Sequence, residues 1–458
     1  MTIWFDVEDL LRFFQIAKRP TGIQRLSFEV CAAAAALSQA GQQVGFCRRD
    51  PNGKDLLQVD FTALQTKLRE LAAHSHAPQP TREQGAKVSR VVKIGRRVPM
   101  VYRLPLREIY VSLIGLWRGS KGLVRALVSG GNKPMSGLEA RNSPLITLNA
   151  GDWLVHLGAS WEQPYSTTFL DHLTQSGVRL GLFIHDLIPD LFPEWCTPLM
   201  VADFTHWLDH IVPRAAKVFA LSTNTLHDLE RSLARRNQPL PVPVLVPAGN
   251  QAMEAQALQP RLLDEPYVLM VGTIEARKNH AGMMRVWRQL LNNPPAQGVP
   301  TLVFAGKAGW LTADLMQQLE NASYMGGKIK HIDQPSEAQL ASLYQHCLFT
   351  LYPSLYEGWG LPVTESLCFG KMVVASNTSS IPEAGGAFCR YFNPENLVEA
   401  AQVIRDLLAH PEQIGQLEAK IKAEFAPPSW EDTAAALLTS LVPPAAPDLL
   451  PRSPSPRP

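Results

Sequence analysis

The strongest constraint on this chain is an alternation in its second half between short apolar runs and longer, helix-patterned segments. YVLMVGTI (267–274) precedes AGMMRVWRQLL, TLVFAGKAG precedes LTADLMQQLENAS, and KIKHID precedes EAQLASLYQHC. LFTLYPS then precedes PVTESLCFG, and KMVVASN precedes LVEAAQVIRDLLA. A compact apolar run suits a strand buried on both faces, and such strands joined by helices form a parallel sheet. The pattern predicts a doubly wound α/β domain over 251–430, followed by a helix at 431–443.

The first half repeats the grammar with more interruption. QVGFCRR, DWLVHLG, VRLGLFIHD, KVFALS and VPVLVPAG are strand candidates, with STTFLDHLTQSG and STNTLHDLERSLARR as helices among them. A second α/β domain over 1–250 is the simplest reading, and 458 residues exceed what one core usually supports. The Pro- and Ser-rich end, 444–458, is expected to be a disordered tail.

Composition matters at one place. Net charge is only +2, yet 82–133 holds twelve Lys or Arg against two Glu, within an insertion spanning about 75–140. Its LREIYVSLIGLWRGSKGLVRALVS interleaves aromatic and apolar residues with cations, which suits an anionic membrane surface. Packing of that apolar face on its own domain is the competing reading; a nucleic-acid partner is not expected. The six cysteines form no CxxC pair and stand at no metal-ligand spacing from histidine, so no metal is expected. MTIWFDVEDLLRFF is acidic where a secretion signal is basic, and no apolar run approaches the ~18 residues of a membrane span. A cytoplasmic protein, seated peripherally on the inner face of the membrane, is the expectation.

Ligands of open α/β sheets bind beyond the carboxyl ends of the strands. After the strand at 267–274 come Arg277 and Lys278, placed either to meet a diphosphate or as a solvated basic turn. After LFTLYPS comes YEGWGLPVTES, with Glu357 and Glu365 eight positions apart. Gly358 and Gly360 permit a tight turn and close approach of backbone to a ligand, and Pro362 suits the first turn of a helix. That helix N-terminus offers N–H donors to a phosphate. Glu365, read as lying in the first turn, can accept hydrogen bonds from a ribose diol, and Glu357 can reach a sugar beyond the phosphates.

PSLYEGWGLPVTESLCFGKMVVASNTSSIPEAGG (353–386) resembles the nucleotide-sugar motif of retaining glycosyltransferases of family 4, and VGTIEARKNH (271–280) is similar to that family's phosphate-binding loop. FDVEDLLRFF and RPTGIQR resemble a mannosyltransferase-like branch that builds bacterial O-antigens, capsules and exopolysaccharides. The resemblance implies the GT-B fold, two Rossmann-like doubly wound domains facing across a cleft. It further implies that Arg277 and Lys278 hold the donor diphosphate, Glu357 contacts the transferred sugar, and Glu365 binds the ribose. Gly22, Arg25, Gly272, Gly358, Gly360, Leu361, Pro362 and Val363 would complete the donor site. Gly22 stands where the family often has two glycines, and Thr21 replaces the first of them.

His185 and Asp186, ending GLFIHD, match the position facing sugar and acceptor; a satisfied interior histidine is the alternative for His185. Ile381-Pro382-Glu383 reads as a structural loop, and SNTSS (376–380) stays ambiguous. The implied reaction moves a hexose from a nucleoside-diphosphate sugar, GDP-mannose first and UDP- or dTDP-sugars next, to a polyprenyl-diphosphate-linked saccharide. No cofactor beyond the donor is expected, and no Asp-x-Asp sits at a strand end. A nucleotide-sugar epimerase or phosphorylase on the same fold, or a non-catalytic sugar- or lipid-binding module, are the alternatives.

Overall fold

The computed structural model describes residues 1–16, 22–38, 43–50, 55–74, 143–162, 164–250 and 258–442. The basic stretch 82–133 and the tail 444–458 lie outside the described residues.

Fourteen strands among the described residues make two sheets. The first holds β1 (Ile3–Asp6), β2 (Val44–Arg49), β3 (Leu56–Gln58), β4 (Leu145–Ile146), β5 (Trp153–His156), β6 (Arg179–Phe183), β7 (Lys217–Ala220) and β8 (Val242–Leu245). Its order is β4-β3-β2-β1-β5-β6-β7-β8. From β2 to β8 the strands are parallel, while β3 and β4 extend the edge antiparallel. The second sheet holds β9 (Tyr267–Val271), β10 (Thr301–Ala305), β11 (Ile329–Ile332), β12 (Thr350–Tyr352), β13 (Val373–Ser376) and β14 (Cys389–Phe392). Its order is β11-β10-β9-β12-β13-β14, parallel throughout.

Side chains alternate across a strand, so an uninterrupted apolar run needs cover on both faces. In the second sheet Val268, Met270, Leu302, Phe304, Leu351 and Val374 pack with Met283, Val286, Trp287 and Leu290 of the helix His280–Asn292. The intervening Tyr267, Leu269, Val303 and Ala305 pack on the opposite face with Leu340, Leu343 and Tyr344 of Glu337–His346. In the first sheet Leu154, Leu180, Leu182 and Val218 pack with Phe204, Trp207, Leu229 and Leu233.

Four strands escape the sequence reading: the antiparallel strands β3 and β4 at the edge of the first sheet, and two others. Ile3–Asp6 is central to the first sheet, paired with both β2 and β5, though it is only four residues long. Cys389–Phe392 is the equally short edge strand of the second. The C-terminal helix, Trp430–Leu441, packs on the helix Ile23–Ser38 of the first domain. Trp153 Nε1 donates to Leu441 O at 2.9 Å and Thr433 Oγ1 to Pro247 O at 2.8 Å. No helix among the described residues is long and apolar enough to cross a membrane.

In the second sheet the chain runs β9 to β10 to β11 in one direction and returns to place β12 on the other side of β9. The loops after β9 and β12 therefore diverge and leave a crevice, which is where such sheets bind ligands.

Candidate active site

Beyond β9 the chain passes Gly272 (φ +138°) and makes a short 3-10 turn, Ala276–Lys278, before the helix His280–Asn292. Beyond β12 it crosses the crevice as Pro353–Gly360 and enters the helix Leu361–Cys368. Leu355 N–H donates to Arg277 O at 2.7 Å, fastening the two loops together.

That fastening brings Arg277 and Lys278 onto Glu357. Arg277 Nη1 lies 2.5 Å from Glu357 Oε2, and Lys278 Nζ lies 2.5 Å from Oε1. Arg277 Nε also reaches Glu275 Oε2 at 3.1 Å, and Lys278 Nζ donates to Tyr352 OH at 2.8 Å. Burial alone raises a carboxyl pKa, and Glu357 is only 6% exposed, but the two cations more than offset this and hold it at about 2. Burial, with Arg277 beside it, pulls the Lys278 ammonium below its ordinary value against the attraction of Glu357. Burial acts against the Arg277 charge as well, yet Glu357, Glu275 and Asp186 raise its pKa overall. The solvated-turn reading of this pair therefore fails: both cations are enclosed, and both point at one carboxylate.

The glycine turn has the shape the sequence implies. Gly360 precedes the helix with φ +113°, a conformation that disfavours a side chain, and Pro362 follows in the first turn beside Leu361 and Val363. Gly358 serves close approach instead, since a Cβ there would lie 1.9 Å from His185 O. One placement needs correcting. The helix begins at Leu361, so Glu365 is its fifth residue and belongs to the second turn. Its carboxylate is held by Arg25 Nη1 at 2.5 Å and Tyr344 OH at 3.1 Å.

Arg25 stands on the first domain's helix Ile23–Ser38, so this ion pair joins the domains across 340 residues of chain. The family resemblance puts Arg25 beside a phosphate with Gly22; here it engages the carboxylate assigned to the ribose. Gly22 itself, at φ +57°, opens the same helix.

His185 and Asp186 lie just past the end of β6. His185 Nε2 faces Leu157 O at 2.8 Å, and its ring lies against Phe183 and Trp161. Burial lowers its pKa to about 4, so the imidazole is neutral. The ring is thus turned into its own domain, while its backbone carbonyl faces Gly358. Asp186 Oδ1 accepts from Ile188 N–H at 3.0 Å; burial raises this carboxyl, with Arg277 offsetting part of the effect. Glu275 and Tyr352 complete the shell around the cations, and nothing in the residues flanking them distinguishes either one in the sequence.

Residues 254–423 match the family model described as glycosyl transferases group 1. This stretch is a group 1 glycosyl transferase domain. The group 1 domain contains Arg277, Lys278, Glu357 and Glu365, and its match covers the second sheet with its helices. Among curated relatives, the serotype-specific mannosyltransferase WbdA of Escherichia coli is 26% identical over 285 residues, 57% of this chain and 35% of that protein. O-antigen chain mannosyltransferase B of Escherichia coli is 31% identical over 170 residues, 37% of this chain and 39% of that protein. The chain thus spans little more than a third of the length of these relatives. Anabaena Alr3699/HepE, solved in complex with UDP and glucose, aligns with 96% of this chain and 99% of its own at TM-score 0.53 and 12% identity. That likeness concerns the fold: beside the group 1 domain stands a second Rossmann-like domain, and together they form GT-B.

Proposed function

We propose that this chain is a retaining hexosyltransferase that moves a hexose from a nucleoside-diphosphate sugar to a lipid-linked saccharide in bacterial polysaccharide synthesis. One observation carries the reading: Arg277 and Lys278 converge on Glu357 in the crevice between β9 and β12. Mannose from GDP-mannose is the first candidate donor, supported by the mannosyltransferases among the relatives.

The barrier in such a transfer is charge separation between an electron-poor anomeric carbon and a departing diphosphate. Two enclosed cations oppose the second charge more strongly than they would in water, the diphosphate taking over part of their pairing with Glu357. The carbon–oxygen bond to the diphosphate breaks while the bond to the acceptor oxygen forms on the same face, and the acceptor's proton passes to the departing phosphate. Glu357 contacts the sugar and stabilises its developing positive charge. Glu365 holds the ribose, in exchange for its bond to Arg25.

The test is thermal stabilisation by GDP-, UDP-, dTDP- and ADP-sugars, with Lys278→Ala and Glu365→Ala beside the wild type. A donor at 100 times its dissociation constant adds about 2.7 kcal/mol. Stabilisation by one donor, lost in both variants and followed by an α-linked product from an α-linked donor, is expected. No response to any nucleotide-sugar, or an epimerised donor as product, refutes the reading. The acceptor side is a polyprenyl-diphosphate-linked saccharide at the inner face of the membrane, reached through the basic stretch 82–133. Its check is cosedimentation with anionic vesicles; binding that survives neutralising Arg96, Arg97, Arg103 and Arg107 excludes that seating.

A further inference from the structure

We infer that the N-terminal end of the first domain's helix Thr223–Arg235 is a clamp that positions Glu357, gripping the residues on both sides of it from across the cleft. The inference rests on the transferase reading for its catalytic consequence, though not for its geometry.

The carbonyl of Gly358, the residue after Glu357, accepts from Ser222 Oγ at 2.8 Å and Thr225 Oγ1 at 3.2 Å. The hydroxyl of Tyr356, the residue before it, bonds the Asp228 carboxylate and accepts from Asn224 Nδ2 at 3.0 Å. Ser222, Thr225 and Asp228 are all buried, so these bonds do not compete with bulk water. Ser222 also caps the helix, its Oγ accepting from Thr225 N–H at 3.1 Å.

The helix end is tied in return to the second domain. Thr223 N–H donates to Glu383 Oε2 at 2.8 Å, and Asn224 N–H to Oε1 at 2.9 Å. A carboxylate placed on the first free amides of a helix is favoured by hydrogen bonding and by the helix dipole together. On the near side, Glu357 N–H donates to Ser379 Oγ at 2.9 Å, and Ser380 Oγ donates to Glu357 O at 2.9 Å and Trp359 O at 3.0 Å. The ambiguous serine run and the loop glutamate thus acquire one role. The Glu357 turn is braced below by Ser379 and Ser380 and gripped above by Ser222, Asn224, Thr225 and Asp228, with Glu383 fixing the grip.

Since the gripping residues belong to the opposite domain, the turn takes its final geometry only when the domains are together. A carboxylate held between two cations tolerates little displacement, and about 1 Å at a reacting centre can cost about 10²-fold in rate.

The experiment compares wild type with Thr225→Val/Tyr356→Phe and Thr225→Ser. It reads hydrogen exchange of the peptide covering 354–360, with the Thr301–Ala305 strand as internal control, beside steady-state kinetics. Valine keeps the shape of threonine, and phenylalanine keeps the ring packed on Phe192. In the double variant, exchange in 354–360 is expected to rise about tenfold while the control strand is unchanged. There kcat is expected to fall about tenfold with the donor KM within about twofold, and Thr225→Ser to behave as wild type. Unchanged exchange in 354–360, an equal rise in the control strand, or faster exchange at undiminished kcat each overturns the clamp. A wild type that transfers sugar from no donor refutes the transferase reading instead, and the exchange arm then still decides whether the clamp exists.

Discussion

Replacing Gly358 with alanine probes the contact on which the cleft depends. The new Cβ would lie 1.9 Å from His185 O, 2.9 Å from His185 C and 3.0 Å from Asp186 Cβ. An ordinary carbon–oxygen contact is about 3.3 Å, so the two backbones must separate by about 1.4 Å. No rotamer change relieves this, because the nearest obstacle is main chain. His185 is fixed through Leu157, and the Gly358 carbonyl is already engaged by Ser222 and Thr225. Overpacking of this kind costs about 1–3 kcal/mol of stability. A shift of about 1 Å at the turn that carries Glu357 costs about 10²-fold in turnover, or about 2.7 kcal/mol of transition-state binding. Denaturant unfolding and steady-state transfer kinetics read the two effects, with Gly415→Ala as comparison. Gly415 lies inside the helix Pro411–Glu424, where an added Cβ would meet nothing within 4 Å, so alanine there should stabilise by up to ~1 kcal/mol. If Gly358→Ala unfolds and turns over like wild type, the domains do not approach through this residue and the argument from close contact fails.

Arg25→Ala leaves the Glu365 carboxylate, 11% exposed, with Tyr344 alone, and is expected to destabilise by about 3 kcal/mol in denaturant unfolding. Adding Glu365→Gln should recover part of that loss, whereas strict additivity in the double-mutant cycle denies the pair any coupling. Acid acts in two separate windows, the lower one set by Glu357 and the upper one by His185 together with His156 and His280, whose pKa values burial also lowers. Glu357, depressed to about 2 from 4.5, contributes stability that is complete above pH 4.5 and lost as pH falls toward 2. His185 is also depressed, to about 4, so it stays neutral in the fold while the unfolded chain takes up its proton. Stability therefore falls from about pH 6.5 toward 4, at no more than about 1.4 kcal/mol per pH unit for that one proton. His185→Leu should reduce the slope of the upper window in unfolding measured across pH, leaving the part due to His156 and His280, and an unaltered slope there removes His185 as a contributor.

The sequence by itself determined what depends on near neighbours along the chain. Alternation of compact apolar runs with helical patterns set both α/β layers, because a strand covered on two faces must be apolar throughout and so stands out between amphipathic helices. YEGWGLPVTES announces its own turn, since Gly360 and Pro362 act through local backbone geometry. Length is not what hides a strand, since Trp153–His156 and Lys217–Ala220 also have four residues but lie in compact apolar runs. Ile3–Asp6 runs straight into an acidic helix start and Cys389–Phe392 carries Arg390, and they become strands through their sheet partners. Sequence reasoning places Glu365 one residue too early, in the first turn, because the helix starts at Leu361 after Gly360 and not at the proline. Tertiary structure alone decided the pairing across the cleft. Arg25 meets Glu365 over 340 residues, Thr223 meets Glu383 over 160, and Ser222 meets Gly358 over 136. Side-chain pattern reports which face of an element is buried, whereas these bonds depend on how two completed domains are set against each other, and no local stretch of sequence encodes that.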